Sequence, residues 1–102
     1  MAIYMLTMWF PFTTGGKAAE ITSKITKLPS YITKWSRLTT PDGQNGAKVY
    51  NLIYIDDNNI PEAGLYISKL ASMYYEIEGF CWKVEPVMSV RDGVKVQSVK
   101  ME

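Results

Sequence analysis

The sequence contains no histidine and only one cysteine, Cys81. The missing imidazole removes the commonest general base, the usual metal ligand, and both Ser-His and Cys-His catalytic pairs. A single cysteine allows no internal disulfide and no thiolate zinc site. Cys81 lies between Phe80 and Trp82, so we expect a small buried hydrophobe rather than a reactive thiol. No metal site and no cofactor are predicted.

The chain also lacks a long apolar run and an excess of charge. Its longest apolar stretch, residues 2–12, is about half the length that a bilayer requires. No basic segment precedes this stretch and no small-residue cleavage site follows it. The formal net charge of +1 gives no general attraction to nucleic acid or anionic membranes. We therefore expect a cytoplasmic protein without membrane association, and nucleic-acid binding is disfavoured.

Apolar residues make up 47% of the 102 residues, which is enough for the core of one domain. We expect residues 1–102 to form a single domain, with a core over about 2–90 and a C-terminal extension over 87–102. Within that extension, the Arg91-Asp92-Gly93 turn between two valine-containing runs predicts a short extra hairpin.

Apolar periodicity predicts four strands and two helices in the order β-α-β-β-α-β. The strands are predicted over residues 2–10, 31–39, 48–55 and 76–86. The first helix is predicted over residues 17–28, between a threonine N-cap and Pro29. The second helix follows Asn59 as its N-cap and buries one stripe of side chains: Ala63, Tyr66, Ile67, Leu70 and Tyr74. Asp-Gly and Asn-Gly within residues 41–46 predict a hairpin loop.

This element order predicts a ferredoxin-like α+β sandwich, with a four-stranded sheet and both helices on one face. The expected spatial order of the strands is 4-1-3-2, antiparallel except between the two middle strands. The first strand is then central. The fourth strand lies at an edge, which suits Pro86 because proline cannot donate to a strand ladder.

The first strand is apolar on both of its faces, although two helices can cover only one face of the sheet. Aromatic side chains also crowd the other strands. A surface of this kind usually marks an interface. The same face of a second copy would cover it through a twofold axis, and we therefore expect a homodimer.

The run from Tyr4 to Phe10, the helix-rich middle, and the run from Glu76 to Val87 resemble the dimeric α/β barrel superfamily of ferredoxin-like proteins. The ending is similar to the last strand of small uncharacterised prokaryotic members, and the resemblance covers residues 2 to about 90. It implies that two sheets close into a shared barrel, with a small-molecule cavity between sheet and helices in each subunit. Members that bind haem generally use a histidine, which is missing here.

A set of aromatic side chains and one asparagine could wall and orient a flat organic ligand. The candidate pocket residues are Tyr4, Trp35, Tyr50, Asn51, Tyr54 and Trp82, with Trp9 nearby in the pattern. The alternative interpretation is that these aromatics form the core and the dimer interface. Asn51, a polar residue within an apolar strand, is expected either to bond to the backbone or to line a cavity.

Four further interpretations stay open at this point. Some members of the resembled superfamily use Asn, Trp or Tyr to oxidise aromatic substrates without a cofactor, which implies a cofactor-independent oxygenase or isomerase. Single-stranded RNA binding would use aromatics of the first and third strands, but the sequence has no basic stripe. Asp56-Asp57 could bind a divalent cation or, more simply, form a turn. Gly15-Gly16-Lys17 could bind an anion through its backbone amides or, again, form a plain turn.

Overall fold

In the computed structural model, which describes residues 2–92, four strands and two α-helices follow the predicted order β-α-β-β-α-β. Their bounds are β1 Ala2–Phe10, α1 Gly15–Ser23, β2 Ile32–Pro41, β3 Ala47–Ile55, α2 Ile60–Ser72 and β4 Cys81–Val87. Short 3-10 turns precede each α-helix, and a third one forms the loop of the β2-β3 hairpin. None of the helices within residues 2–92 is long and apolar enough to cross a membrane.

The four strands form one sheet in the order β2-β3-β1-β4, which is the order 4-1-3-2 read from the opposite edge. β1 is central, and β4 with Pro86 is an edge strand, as predicted. The expectation of a parallel middle pair is wrong, because β1 and β3 are antiparallel. The helical connection between β1 and β2 leaves these two strands parallel, and the β2-β3 hairpin then reverses the chain. The two middle strands therefore run in opposite directions.

The strand register divides the side chains between two faces of the sheet. Leu6 of β1 lies opposite Asn51 of β3 and Val84 of β4, so these residues share one face. We call this the helix-covered face, because its side chains join those of α1 and α2 in one core cluster. The buried members of the cluster are Leu6, Met8, Phe10, Ile21, Ile32, Ile53, Ile55, Ala63, Ile67, Leu70, Tyr74 and Ile77.

The other face carries the intervening residues of each strand, and we call it the open face. None of its side chains belongs to the core cluster of the described residues. Its members are Ile3, Met5, Thr7 and Trp9 of β1; Lys48, Tyr50, Leu52 and Tyr54 of β3; Lys34, Ser36, Leu38 and Thr40 of β2; and Cys81, Lys83, Glu85 and Val87 of β4. The predicted buried position of Cys81 is wrong, because its thiol is exposed on this face.

Helix α1 is shorter than predicted and begins earlier. It ends at Ser23, although the pattern placed its end at Pro29. Ile25 and Thr26, which follow within three positions, are β-branched, and such side chains lose rotamer freedom in a helix. Thr14 occupies the predicted N-cap position, but its hydroxyl donates to the Pro11 carbonyl at 2.7 Å and makes no side-chain cap bond.

Helix α2 buries most of its predicted stripe. Ala63, Ile67 and Leu70 are buried, and Tyr66 is half-buried. Tyr74 is also buried, but it lies two residues beyond the helix end, where it packs edge to face against Phe10 with ring centroids 5.3 Å apart. Asn59 precedes the helix without a side-chain cap bond.

Strand β4 begins at Cys81 rather than at the predicted Glu76. Residues 73–79 form turns instead, which end at Gly79 with a φ of +88°. Within the predicted tail hairpin, residues 90–92 are helical rather than extended, and residues 93–99 lie outside the described part of the chain.

Candidate functional site

A cleft of about 260 Å³ lies between helix α1 and the helix-covered face of the sheet, and we call it the α1 cleft. Most of its lining is apolar. The lining residues are Met8, Phe10, Pro11, Phe12, Gly15, Ala18, Ala19, Thr22, Arg37, Ala47, Val49, Asn51 and Tyr74. The cleft runs from an exposed rim at Phe12 and Arg37 to a floor of buried residues that includes Asn51 and Tyr74.

The cleft exists because one side of α1 carries only small residues. Gly15, Ala18, Ala19 and Thr22 lie at spacings of three, one and three, which places them on one helix face. Larger side chains at these positions would fill the space against Val49 of the sheet. The sequence pattern drew attention to the neighbouring apolar stripe of this helix instead. The run of small residues was the available signal for a cavity.

Asn51 is buried on the cleft floor, with an exposed fraction of 1%. Its amide nitrogen donates to the carbonyl oxygen of Leu6 at 3.1 Å and to the sulfur of Met8 at 3.4 Å. Its Oδ1 accepts the indole N–H of Trp35 at 2.9 Å. Both predicted roles therefore apply, since the side chain bonds to backbone and also lines a cavity. Both amide hydrogens of Asn51 already form hydrogen bonds. The side chain can therefore form one more hydrogen bond only as an acceptor, through a lone pair on Oδ1.

Thr22 and Tyr74 form a polar pair that lines the cleft. The Thr22 hydroxyl donates to the Ala18 carbonyl at 2.8 Å and lies 2.7 Å from the Tyr74 hydroxyl. A threonine hydroxyl has one hydrogen, so the Tyr74 hydroxyl is the donor of the second bond. The phenol oxygen of Tyr74 then keeps free lone pairs and no free hydrogen. This pair offers the cleft an acceptor.

Arg37 is the one permanently charged residue that lines the cleft. It lies on β2 directly opposite Asn51, with its guanidinium 5.7 Å from the ring centroid of Trp35. Within residues 2–92 it forms no ion pair. Five N–H donors of the guanidinium are therefore held at the rim of an apolar cavity, where they can meet an anion.

The six predicted pocket residues are divided between the two faces. Tyr4, Trp35, Asn51 and Trp82 lie on the helix-covered face, whereas Tyr50 and Tyr54 lie on the open face. The structure brings Trp35 and Asn51 together through their hydrogen bond, and Asn51 alone of the six lines the α1 cleft. Trp82 donates instead to the Tyr75 hydroxyl at 3.1 Å, beyond the end of α2.

The open face has an apolar centre and a charged rim. The central strands contribute its large apolar side chains: Ile3, Met5, Trp9, Tyr50, Leu52 and Tyr54. Lys34, Lys83 and Glu85 lie on the edge strands, where Lys83 and Glu85 form an ion pair at 3.3 Å. This pattern is typical of an interface, in which an apolar core is surrounded by polar residues.

Lys48 lies near one end of the open face, among aromatic rings. Its ammonium is 4.9 Å from the ring centroid of Tyr50 and 5.4 Å from that of Trp9. A hydrogen bond with Tyr50 raises the pKa of Lys48 above 10.5, and the charge of Asp42 acts in the same direction. Asp42 also accepts the indole N–H of Trp9 at 2.9 Å, which fixes this end of the face to the hairpin loop.

Thr7 occupies the middle of the open face, yet its exposed fraction is 1%. Its register neighbours are Tyr50 on β3 and Lys83 on β4. The Thr7 hydroxyl has no hydrogen-bond partner among the described residues. Such a group in the interior of a sheet face is costly, because it has lost its bonds to water without replacement.

The remaining sequence motifs have structural roles. Asp56 accepts the backbone N–H of Asn58 at 3.1 Å, which is the turn interpretation of the Asp56-Asp57 pair. Gly15 and Gly16 form the first turn of α1, so the expectation of a plain turn there is wrong. Among residues 2–92, no group of three or more acidic or cysteine side chains is arranged to hold a metal ion.

No family model matches the chain, and comparisons with curated proteins and with solved structures yield no significant match. The resemblance to the dimeric α/β barrel superfamily therefore depends on the sequence motifs, together with a βαββαβ architecture that is compatible with it.

Proposed function

We propose that this protein is a homodimer that binds a small flat organic molecule in the α1 cleft of each protomer. The observation that carries the proposal is the cleft itself, which is apolar, formed between sheet and helix, and supplied with a few fixed polar groups. Ligand sites in proteins commonly combine these three properties.

The volume of the cleft suits a small ligand. A cavity of roughly 150 Å³ accommodates benzene, and pockets for drug-sized molecules begin at roughly 300 Å³. The α1 cleft, at about 260 Å³, lies between these two sizes. Its helix wall, made of glycine, alanine and threonine side chains, leaves room for a flat ring.

The proposal includes a ferredoxin-like fold. The antiparallel order β2-β3-β1-β4, with both helices contributing to one core cluster, supports this assignment. In that arrangement the helices leave the second sheet face for a partner, and the resemblance to dimeric barrels implies that the partner is another copy of the same chain.

The open face supports a second copy as its occupant, because its apolar centre and charged rim have the anatomy of an interface. A sheet of four strands about 4.8 Å apart, with nine residues in β1 at about 3.3 Å each, presents on the order of 600 Å². A standard stable interface buries roughly 800 Å² per partner. The face is therefore close to the size that a dimer needs.

The alternative of a cofactor-independent oxygenase or isomerase acting through Asn51 receives less support. An asparagine that stabilises a developing oxyanion must donate a hydrogen bond to it. Both amide hydrogens of Asn51 are already donated to Leu6 and Met8. Histidine is absent from the whole sequence, so the commonest base is not available either. The geometry favours binding over turnover.

The binding proposal is tested with 4-ethylphenol, a neutral one-ring probe, in a titration followed by ¹H-¹⁵N NMR. We expect chemical-shift changes centred on Ala18, Val49 and Tyr74. Ala19→Leu, which places a larger side chain in the cleft, should abolish them. Ser23→Leu, an exposed position of the same helix outside the cleft, should leave them unchanged. Equal binding by both variants, or no change at these residues at millimolar probe, would disprove the proposal.

The dimer is tested by sedimentation velocity on two matched variants. Leu38 on the open face and Leu65 on α2 have nearly equal exposed fractions, 65% and 67%. We expect a dimer for the natural chain and for Leu65→Glu, and a monomer for Leu38→Glu. A natural chain that is monomeric at tens of micromolar contradicts the dimer. If that monomer binds a single-stranded RNA oligonucleotide through Trp9 and Tyr50, the open face serves nucleic acid instead.

A further inference from the structure

We infer that the ligand of the α1 cleft is a one-ring aromatic carboxylate with a hydroxyl group at the opposite end of the molecule. This inference rests on the proposed function, because it concerns the occupant of the same cleft. It follows from the charge at the rim, from the hydrogen-bonding capacity of the walls, and from the size of the cavity.

The charge at the rim of the cleft determines the sign of the charge that the ligand carries. Arg37 is the one permanent charge among the lining residues, and no acidic side chain lines the cleft. Its guanidinium has no ion-pair partner within residues 2–92, and the ring of Trp35 supports it from one side. A planar guanidinium binds a carboxylate through two parallel hydrogen bonds. A cationic ligand, in contrast, would meet repulsion and no counter-charge.

The walls select the group at the other end of the ligand. Asn51 has donated both amide hydrogens, and Tyr74 has donated its hydroxyl hydrogen to Thr22. Lone pairs on Asn51 Oδ1 and on the Tyr74 oxygen are what these side chains still offer. A hydrogen-bond donor on the ligand can pair with either of these remaining lone pairs. A hydroxyl group on the ring supplies that donor.

The size of the cavity limits the ligand to one ring. The volume of about 260 Å³ exceeds what benzene needs by enough for a short carboxylate arm and a hydroxyl group. A second fused ring or a long acyl chain would extend beyond the cleft. We therefore take 4-hydroxyphenylacetate as the probe that carries all three features.

The experiment compares three one-ring compounds by isothermal titration calorimetry. They are 4-hydroxyphenylacetate, the uncharged 2-(4-hydroxyphenyl)ethanol, and 4-methoxyphenylacetate, which cannot donate from its ring oxygen. We expect the first compound to bind at least about 10-fold more tightly than the uncharged one, because a charge-assisted bond is lost. The methoxy compound should bind about 5-fold to 10-fold more weakly, because it lacks the hydrogen bond that the ring hydroxyl donates to the Tyr74 oxygen.

Two variants assign these differences to residues. Arg37→Gln should lower the affinity for 4-hydroxyphenylacetate to that of the uncharged compound. Lys34→Gln removes a cation of the same strand on the open face. It should change neither the affinity for 4-hydroxyphenylacetate nor the affinity for the uncharged compound. Tyr74→Phe should equalise 4-hydroxyphenylacetate and 4-methoxyphenylacetate, and its melting temperature shows whether the fold is retained.

The outcomes separate the inference from the function on which it rests. Equal affinities for the charged and uncharged compounds in the natural chain overturn the ligand class, while their binding at the cleft supports the small-molecule function. If none of the three compounds shifts the NMR signals of Ala18, Val49 and Tyr74, the inference and the proposed function both fail. An Arg37→Gln variant that retains the full preference for the acid also overturns the inference.

Discussion

The indole N–H of Trp35 on strand β2 donates to the side-chain oxygen of Asn51 on strand β3, at 2.9 Å. The bond joins an edge strand to a central strand beneath the α1 cleft. It also determines the orientation of the Asn51 amide, because the oxygen faces Trp35 while the nitrogen faces Leu6 and Met8. The hydrogen-bonding character of the cleft floor therefore follows from this pair.

We expect Asn51→Ala to lower the free energy of unfolding by about 2–4 kcal/mol, since it leaves a cavity and buried groups without partners. Trp35→Phe should cost about 1–2 kcal/mol, because it leaves the Asn51 oxygen unpaired. The double variant should be less destabilised than the sum, with a coupling of about 1 kcal/mol. Urea unfolding of the four proteins measures this cycle. Strict additivity would mean that the bond contributes nothing to stability.

Gly46 should be the least replaceable glycine of the hairpin loop. Its φ is +85°, and a Cβ placed there would lie 2.1 Å from the carbonyl oxygen of Phe10. We expect Gly46→Ala to cost about 3 kcal/mol or more, because backbone strain and a backbone clash act together. Gly43→Ala is the control, with a φ of +56° and open space around the new Cβ, and should cost about 1–2 kcal/mol. Similar melting temperatures for the two variants would contradict this prediction.

Thr7→Val should stabilise the protein. The Thr7 hydroxyl is buried without a hydrogen-bond partner among the described residues, and valine replaces it with a methyl group of similar shape. We expect a gain of about 1 kcal/mol in the free energy of unfolding, because the cost of the unpaired hydroxyl disappears. Chemical unfolding at several protein concentrations measures the gain. A loss of stability that grows with dilution would indicate that the hydroxyl forms a hydrogen bond across the proposed dimer interface.

Ionisation of Tyr66 should lower the free energy of unfolding at alkaline pH. Burial raises the pKa of its phenol above 10.0, and the neighbouring Tyr31 adds to the effect. The pKa of this phenol is higher in the folded state than in the unfolded state. The neutral phenol therefore contributes fully to the free energy of unfolding below pH 10, and this contribution is lost as the pH rises through the folded-state pKa. We expect Tyr66→Phe to lose less stability than the natural chain between pH 9 and pH 11. Parallel urea midpoints across this range test it, and identical declines would show that Tyr66 ionises without cost.

Local patterns in the sequence were sufficient for the elements of this fold. The predicted bounds of β1 agree with the structure, and Pro86 correctly indicated an edge strand. Such features depend on residues close in sequence, through alternation, turn residues and the missing N–H of proline. Helix α1 shows the limit of this reasoning, because apolar spacing alone did not reveal that its β-branched residues would end it at Ser23.

The candidate site depended on tertiary structure. Tyr50 and Asn51 are neighbours in sequence and were assigned to one pocket, but successive residues of a strand point to opposite faces, so only Asn51 lines the cleft. Arg37 reaches the same cleft from the neighbouring strand β2, and Tyr74 reaches it from the turn after α2. The sequence by itself determined which strands and helices form and in what order. Strand register and helix packing decided which side chains meet, because those contacts join residues far apart in the chain.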